Sequence, residues 1–234
     1  TFYKALATIM QKLAHEIICV SEYQASFLQQ KKCVITVPNA LPQNFVNRLT
    51  PNFQAAFKRK HILMLGSLKL YKSPLEFIEL AKRLPQFIFV LVINDIKENI
   101  DIFIKEYKIN ISKNLTIYPQ QNDVVPFYNQ TSLVLNLSNK KQFVETFGLT
   151  ALEAMSAGLP VIVPTEGGIA EMVVDGENGY KIDVQNLNQI AECIKTILSD
   201  ETLYMKLAQN ALAYSKRFSE AKMVNCIEMI LNRK

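Results

Sequence analysis

No apolar stretch in this 234-residue sequence is long enough to cross a membrane. A spanning helix needs about 20 such residues, and the longest run, Phe87-Ile88-Phe89-Val90-Leu91-Val92-Ile93, reads as a buried strand. Cysteine is scarce. Cys19, Cys33, Cys193 and Cys226 lie far apart with no Cys-x-x-Cys pair, which speaks against a zinc site and fits reduced thiols. His15 and His61 are the only histidines, and His61 opens the apolar run Ile62-Leu63-Met64-Leu65, so it reads as structural. There is no Asp-x-Asp to hold a diphosphate through a divalent metal. Asp175-Gly176-Glu177 comes nearest and reads as a turn. Also missing are G-x-G-x-x-G, G-x4-G-K-[ST] and G-x-S-x-G, so no dinucleotide fingerprint, P-loop or nucleophile elbow is expected. The net charge of +5 comes from dispersed residues, which does not indicate a nucleic-acid partner.

What is present is an alternation. Apolar runs at Ile17 to Val20, Cys33 to Val37, Ile62 to Leu65, Phe87 to Ile93, Leu115 to Tyr118, Leu133 to Leu137 and Val161 to Val163 are separated by stretches with helical spacing. Strands apolar throughout, with helices between them, imply a doubly wound parallel α/β sheet covered on both faces. Ser21-Glu22-Tyr23-Gln24 and Ser73-Pro74-Leu75-Glu76 read as capping boxes, the second with Pro at the first helical position. A helix after Gly148 should end at Gly158 before Pro160, and Leu187 to Leu198, Leu203 to Tyr214 and Ala221 to Leu231 carry helical spacing. The stretch from Asn39 to Lys60, with Pro42, Pro51 and four Asn, has the composition of a connector. Residues 1–46 read as the remnant of a preceding domain, 47–60 as a linker and 61–234 as the complete unit. The chain starts at Thr1 inside a helical pattern, and this N-terminus reads as cut.

The most informative segment is Glu145-Thr146-Phe147-Gly148-Leu149-Thr150-Ala151-Leu152-Glu153-Ala154-Met155-Ser156-Ala157-Gly158-Leu159-Pro160-Val161-Ile162. Gly148 lets the backbone turn into a helix whose first N–H groups point back at the loop, a ready site for a phosphate. Glu145 precedes the helix and Glu153 lies in its second turn. Eight helical residues rise roughly 12 Å, so the two carboxylates could reach opposite ends of an extended, hydroxyl-rich ligand.

This string resembles the E-x7-E motif of retaining GT-B glycosyltransferases, specifically glycosyltransferase family four. Glu166-Gly167-Gly168-Ile169-Ala170-Glu171, Asp175-Gly176 and Asn178-Gly179 continue the likeness, as do Val20-Ser21 and Val37-Pro38-Asn39 more weakly. The resemblance implies a Rossmann-like C-terminal half of a GT-B fold over 61–234, with residues 1–46 the tail of an acceptor domain. It implies that Glu145 binds hydroxyls of the donor sugar, that Glu153 binds the ribose, and that the N–H groups of Gly148, Leu149 and Thr150 hold the distal phosphate beside Phe147. No cofactor or metal is implied. The nucleotide sugar, UDP- or GDP-linked, is substrate.

A second constellation is Leu65-Gly66-Ser67-Leu68-Lys69-Leu70-Tyr71-Lys72-Ser73-Pro74. A strand ends at Gly66 and a helix starts near Ser73, which puts Lys72 where a helix N-terminus and an ammonium can share one anion. The family's pattern is Gly-Arg-x4-Lys-Gly. Lys72 matches the Lys, while Ser67 stands at the usual Arg and Ser73 at the usual Gly, with Lys69 the nearest substitute cation. Tyr118, Pro119 and Gln120 follow a strand and are expected to flank the base. The expected function is transfer of a sugar to a hydroxyl acceptor, a saccharide or lipid-linked saccharide, with Glu145 and Lys72 as catalytic residues. The setting is polysaccharide or glycolipid synthesis by a cytoplasmic protein with peripheral membrane contact through the missing part. That missing part holds the acceptor site, so this chain alone is expected to bind donor and turn over little. The rivals are a nucleotide-sugar epimerase, which wants acid–base residues at the sugar, and a non-catalytic nucleotide-sugar-binding module, which Ser67 favours.

Overall fold

The computed structural model describes residues 9, 11–28 and 33–232. The helix expected at the start of the chain falls mostly outside them. Two short strands, β1 (Ile17–Cys19) and β2 (Val34–Thr36), pair in parallel around α1 (Glu22–Ser26). The main sheet follows: β3 (His61–Gly66), β4 (Ile88–Ile93), β5 (Leu115–Tyr118), β6 (Leu133–Leu135), β7 (Val161–Val163) and β8 (Gly179–Lys181). Its order is β5-β4-β3-β6-β7-β8, and every neighbouring pair is parallel. The sheet is buried on both faces, which is why β6 and β7 are apolar at every position and fully buried. The expected strands are all present, shortened by a residue or two at some ends. β8 escapes the hydrophobic pattern because Gly179-Tyr180-Lys181 is an edge strand with one neighbour.

The helices that cover the sheet bury the faces their spacing predicts. α4 (Pro74–Arg83) buries Phe77, Ile78, Leu80 and Ala81, and α5 (Lys97–Glu106) buries Ile100 and Phe103. α6 (Val125–Asn129), α7 (Leu149–Ser156) and the short α8 (Gly168–Glu171) follow the strands around the site. α9 (Leu187–Ser199) buries Ile190, Ile194 and Ile197, and α10 (Glu201–Ser215), capped by the Asp200 carboxylate, buries Tyr204, Leu207 and Ala208. α11 (Glu220–Leu231) closes the chain and buries none of its residues.

Two expectations are corrected here. The 47–60 stretch is not a bare linker. After a short helix α2 (Gln43–Val46), Leu49 is buried, and α3 (Phe53–Arg59), capped by the Asn52 side chain, packs on α10 with Ala56 in the core. Apolar residues at 53, 56 and 57 supply one helical face, which the Asn and Pro around them obscured.

Nor is Ser73 a capping residue. It takes the left-handed conformation, φ 59° and ψ 47°, and no side chain caps α4. Its buried hydroxyl makes no hydrogen bond. A left-handed non-glycine residue costs about 1–2 kcal/mol, and an orphaned buried hydroxyl costs about as much again. Ser73→Gly is therefore expected to stabilise the fold by about 1–2 kcal/mol, after the extra freedom glycine gives the unfolded chain. A lower melting temperature in a thermal scan would show that the hydroxyl has a structural use.

Candidate active site

At the C-terminal ends of β4, β3 and β6 lies a cavity of about 480 Å3. From β3 the chain runs outward to β4 and β5, then returns to lay β6, β7 and β8 on the other side. The connections therefore part between β3 and β6, and that divergence opens a crevice where open α/β sheets bind ligands. Leu65, Gly66 and Ser67 enter from β3, Asn94 from the end of β4, and Asn136 from beyond β6. Lys72, Asn39 and the run Glu145 to Thr150 complete the wall. A larger cavity of about 640 Å3, lined by Glu76, Arg83 and residues 184–189, lies away from these strand ends. Its Arg83 is already engaged by Glu79 and Asn188.

Lys72 and Glu145 meet inside the smaller cavity. A 3-10 turn over Leu70–Lys72 carries the ammonium inward, where it pairs with the Glu145 carboxylate. Ser138 donates to the same carboxylate oxygen at 2.9 Å. Side-chain exposures of 21% for Lys72 and 15% for Glu145 mark the pair as partly shielded from water, which strengthens it relative to a surface ion pair. Of the lining residues, Lys72 is the one cation and Glu145 the one anion.

Beside this pair α7 begins. Gly148, at φ 91°, precedes it, and no side chain caps the helix. Ala151 and Leu152 donate their N–H groups to the Gly148 carbonyl, so the first N–H groups, those of Leu149 and Thr150, have no intrahelical acceptor and open on the cavity with the positive end of the helix dipole. The loop in front is fixed from behind. Gly168 N–H donates to the Glu145 carbonyl at 2.8 Å, and a Cβ at Gly168 would lie 1.9 Å from the Thr146 carbonyl oxygen. That oxygen also accepts from the Ser21 hydroxyl at 2.6 Å. The Glu171 carboxylate accepts from the N–H groups of Glu22, at 3.2 Å, and Tyr23, and so caps α1.

Glu153 does not line the cavity. It sits one turn beyond Thr150, half-buried, and accepts a hydrogen bond from the Tyr128 hydroxyl. Burial raises its carboxyl above the ordinary value, and the Tyr128 bond opposes that shift. Tyr128, fully buried and beside this carboxylate, is pushed well above its usual range and keeps its proton. The charged form of Glu153 is thus disfavoured in the folded protein. The penalty is fully present above the folded pKa and fades as the pH falls through it. Glu153→Gln keeps an acceptor for Tyr128 and removes the charge. Its melting temperature is expected to rise at neutral pH, where the charged form is disfavoured. The gain should shrink on acidification towards the ordinary carboxylate range. An equal gain at both pH values would place its cause elsewhere.

Of the residues singled out by sequence, Gly66, Ser67, Lys72, Glu145, Phe147, Gly148, Leu149 and Thr150 come together at the cavity. Phe147 does so with its ring buried edge-on against Phe218 at 5.9 Å. Lys69 does not join them; it is exposed at the start of the 3-10 turn. Tyr118, Pro119 and Gln120 lie one strand further out, with Tyr118 against Phe127 and Gln120 N–H bonded to the Asp95 carbonyl. Asn39, Asn94, Asn136 and Ser138 were missed. Asn94 directly follows the β4 run and Asn136 lies within the β6 run, so position at the carboxyl end of a buried strand was a signal for both. His61 opens β3, at the opposite end of the strand from the cavity, and burial lowers its pKa.

The strand order and the placement of the cavity define a Rossmann-like, doubly wound α/β domain. The family model of glycosyl transferases group 1 matches residues 48–214, and the chain belongs to that family. An uncharacterized glycosyltransferase of Methanocaldococcus jannaschii is 39% identical over 80 residues, 34% of this chain and 23% of that protein. The chain thus matches less than a quarter of that relative's length. Anabaena HepE in complex with UDP-glucose superposes with a TM-score of 0.83 at 19% identity, covering 99% of this chain and 67% of that one. The C-terminal domain of LpcC, a glycosyl transferase group 1 family protein from Francisella tularensis, gives a TM-score of 0.59 at 26% identity, covering 74% of this chain and 96% of that one. These neighbours share the Rossmann-like α/β fold. Among the described residues, no helix is long and apolar enough to cross a membrane.

Proposed function

We propose that this cavity holds a nucleoside diphosphate sugar and that the protein transfers the sugar, with retention, to a hydroxyl acceptor, as a member of glycosyltransferase family four. One observation carries the reading: Lys72 and Glu145 converge beside the uncapped start of α7 at the point where the strand order reverses. The glycosyltransferase names of relatives and the UDP-glucose bound by HepE support it.

In this reading the diphosphate lies against the N–H groups of Leu149 and Thr150, and donor entry divides the ion pair. The ammonium turns to the phosphate oxygens and the carboxylate to sugar hydroxyls. As the bond from the anomeric carbon to the phosphate oxygen breaks, charge develops where Lys72 and the helix dipole are aimed. The acceptor oxygen bonds to the anomeric carbon on the face the diphosphate leaves, and its proton passes to a diphosphate oxygen. Glu153, outside the cavity wall while it accepts from Tyr128, would have to leave that bond to take the ribose hydroxyls, and no metal takes part. The acceptor is a saccharide or lipid-linked saccharide in polysaccharide or glycolipid synthesis. Calorimetry with UDP- and GDP-sugars on Glu145→Ala, Glu153→Ala and Lys72→Ala tests the proposal. Affinities unchanged in all three would remove it.

An epimerase finds less support, since neither His15 nor His61 lines the cavity. A binding module without catalysis is favoured by Ser67, which lines the cavity where a second cation would stand. Ser67→Arg is expected to raise nucleotide affinity about tenfold, through a guanidinium fork on the diphosphate. A rise of that size in a chain inactive with every donor favours the module. No rise means that Lys72 and the helix amides suffice.

A further inference from the structure

Beside the cavity stands an aromatic pair that nothing above uses. The rings of Tyr71 and Phe143 are stacked, with centroids 4.8 Å apart and planes 26° from parallel. Phe143 is 39% exposed. Lys72 Nζ lies 4.7 Å from the Phe143 centroid and 5.8 Å from that of Tyr71. The second distance is far too short for an ammonium on the outer face of Phe143. The charge therefore lies on the Tyr71 side of the Phe143 ring and not over its outer face.

The pair is also held from below. Asn139 N–H donates to the Tyr71 carbonyl at 2.7 Å, and Phe143 N–H donates to the Asn139 carbonyl at 2.9 Å. The Asn139 side-chain oxygen accepts from Gln185 Nε2 at 2.7 Å and from Lys141 N–H at 3.1 Å. One residue thus ties together the two backbone segments that carry the rings.

We propose that the Tyr71–Phe143 stack is a platform for the apolar face of a pyranose ring at the sugar end of the cavity, an inference that rests on the nucleotide-sugar reading. A pyranose presents C–H bonds on its faces and hydroxyls around its rim. The aromatic face, with its negative quadrupole, suits the first. The Glu145 carboxylate, two residues along the chain, suits the second. Phe143 lies in the loop that leaves β6, across β3 from β4 and β5, beyond which the base is expected. The ring it takes is either the donor hexose or the acceptor sugar, since both offer the same chemistry.

The sequence contains no tryptophan, so Phe143→Trp places a single indole reporter on the platform. The probes are UDP, GDP, UDP-glucose, GDP-mannose and methyl α-D-glucopyranoside. A donor platform shifts the indole emission with a nucleotide sugar but not with its nucleotide. In that case Phe143→Ser weakens nucleotide-sugar binding by about five- to tenfold and leaves nucleotide binding unchanged. An acceptor platform shifts the emission when the glucoside is added to nucleotide-saturated protein, and Phe143→Ser abolishes retention of the glucoside. Nucleotide binding with no sugar-dependent change in either variant overturns the platform and leaves the nucleotide-sugar reading standing. Failure of the unaltered chain to bind any nucleotide or nucleotide sugar overturns both.

Discussion

Alanine at Lys72 is expected to weaken binding of the nucleotide sugar by about 100-fold, close to 2.7 kcal/mol, the worth of a strong charge-assisted hydrogen bond. Lys72 is the one cation lining the cavity, so no neighbour can take over its contact with the diphosphate. The variant also leaves Glu145 without its ionic partner, a carboxylate then facing an incoming anion with only the Ser138 hydroxyl to moderate it. Glu145→Gln should behave differently. It releases the ammonium from its present partner, so the bare nucleotide should bind as tightly as before or more tightly, while the nucleotide sugar exchanges a charged two-oxygen acceptor for a neutral amide and binds less tightly. Calorimetry with both ligands separates the two. Equal losses for nucleotide and nucleotide sugar in Glu145→Gln would mean that this carboxylate does not reach the sugar.

Gly148→Ala is expected to cost about 3–4 kcal/mol, which for a domain of this size lowers the melting temperature by roughly 10 °C. Two effects add. At φ 91° an alanine is strained whatever surrounds it, and its Cβ would lie 2.4 Å from the Ile169 side chain. Ile169 is fully buried and has nowhere to swing. Relief must come from the backbone, by moving the start of α7, which also carries the phosphate-facing N–H groups. Nucleotide affinity should therefore fall at temperatures where the variant is still folded. A variant with lowered stability and intact nucleotide binding would show that α7 does not contact the ligand.

Much of this architecture is legible in the sequence. Strands buried on both faces leave continuous apolar runs, and β4 and β7 were read as such directly. Gly148 and Gly158 bracket α7 because a turn at each end demands a left-handed residue, and both have positive φ. What could not be read depends on tertiary partners. Ser73-Pro74-Leu75-Glu76 satisfies the local rule for a capping box, yet the turn that sends Lys72 into the cavity forces Ser73 into the left-handed region, where its hydroxyl cannot cap. Glu153 looked like a second cavity wall because helix geometry fixes its height along the axis. Its orientation is set by Tyr128, 25 residues earlier in the chain, which no spacing rule reveals. The platform of Tyr71 and Phe143 joins two loops far apart in sequence, and neither residue stands out alone.

The hydrogen bonds from Ser21 to the Thr146 carbonyl and from α1 to Glu171 have a mechanical consequence. They bolt the β1–β2 pair to both loops at the rim, one on each side of Gly168. The peptide that joins Glu145 to Phe147 is thus anchored by a residue 125 positions earlier in the chain.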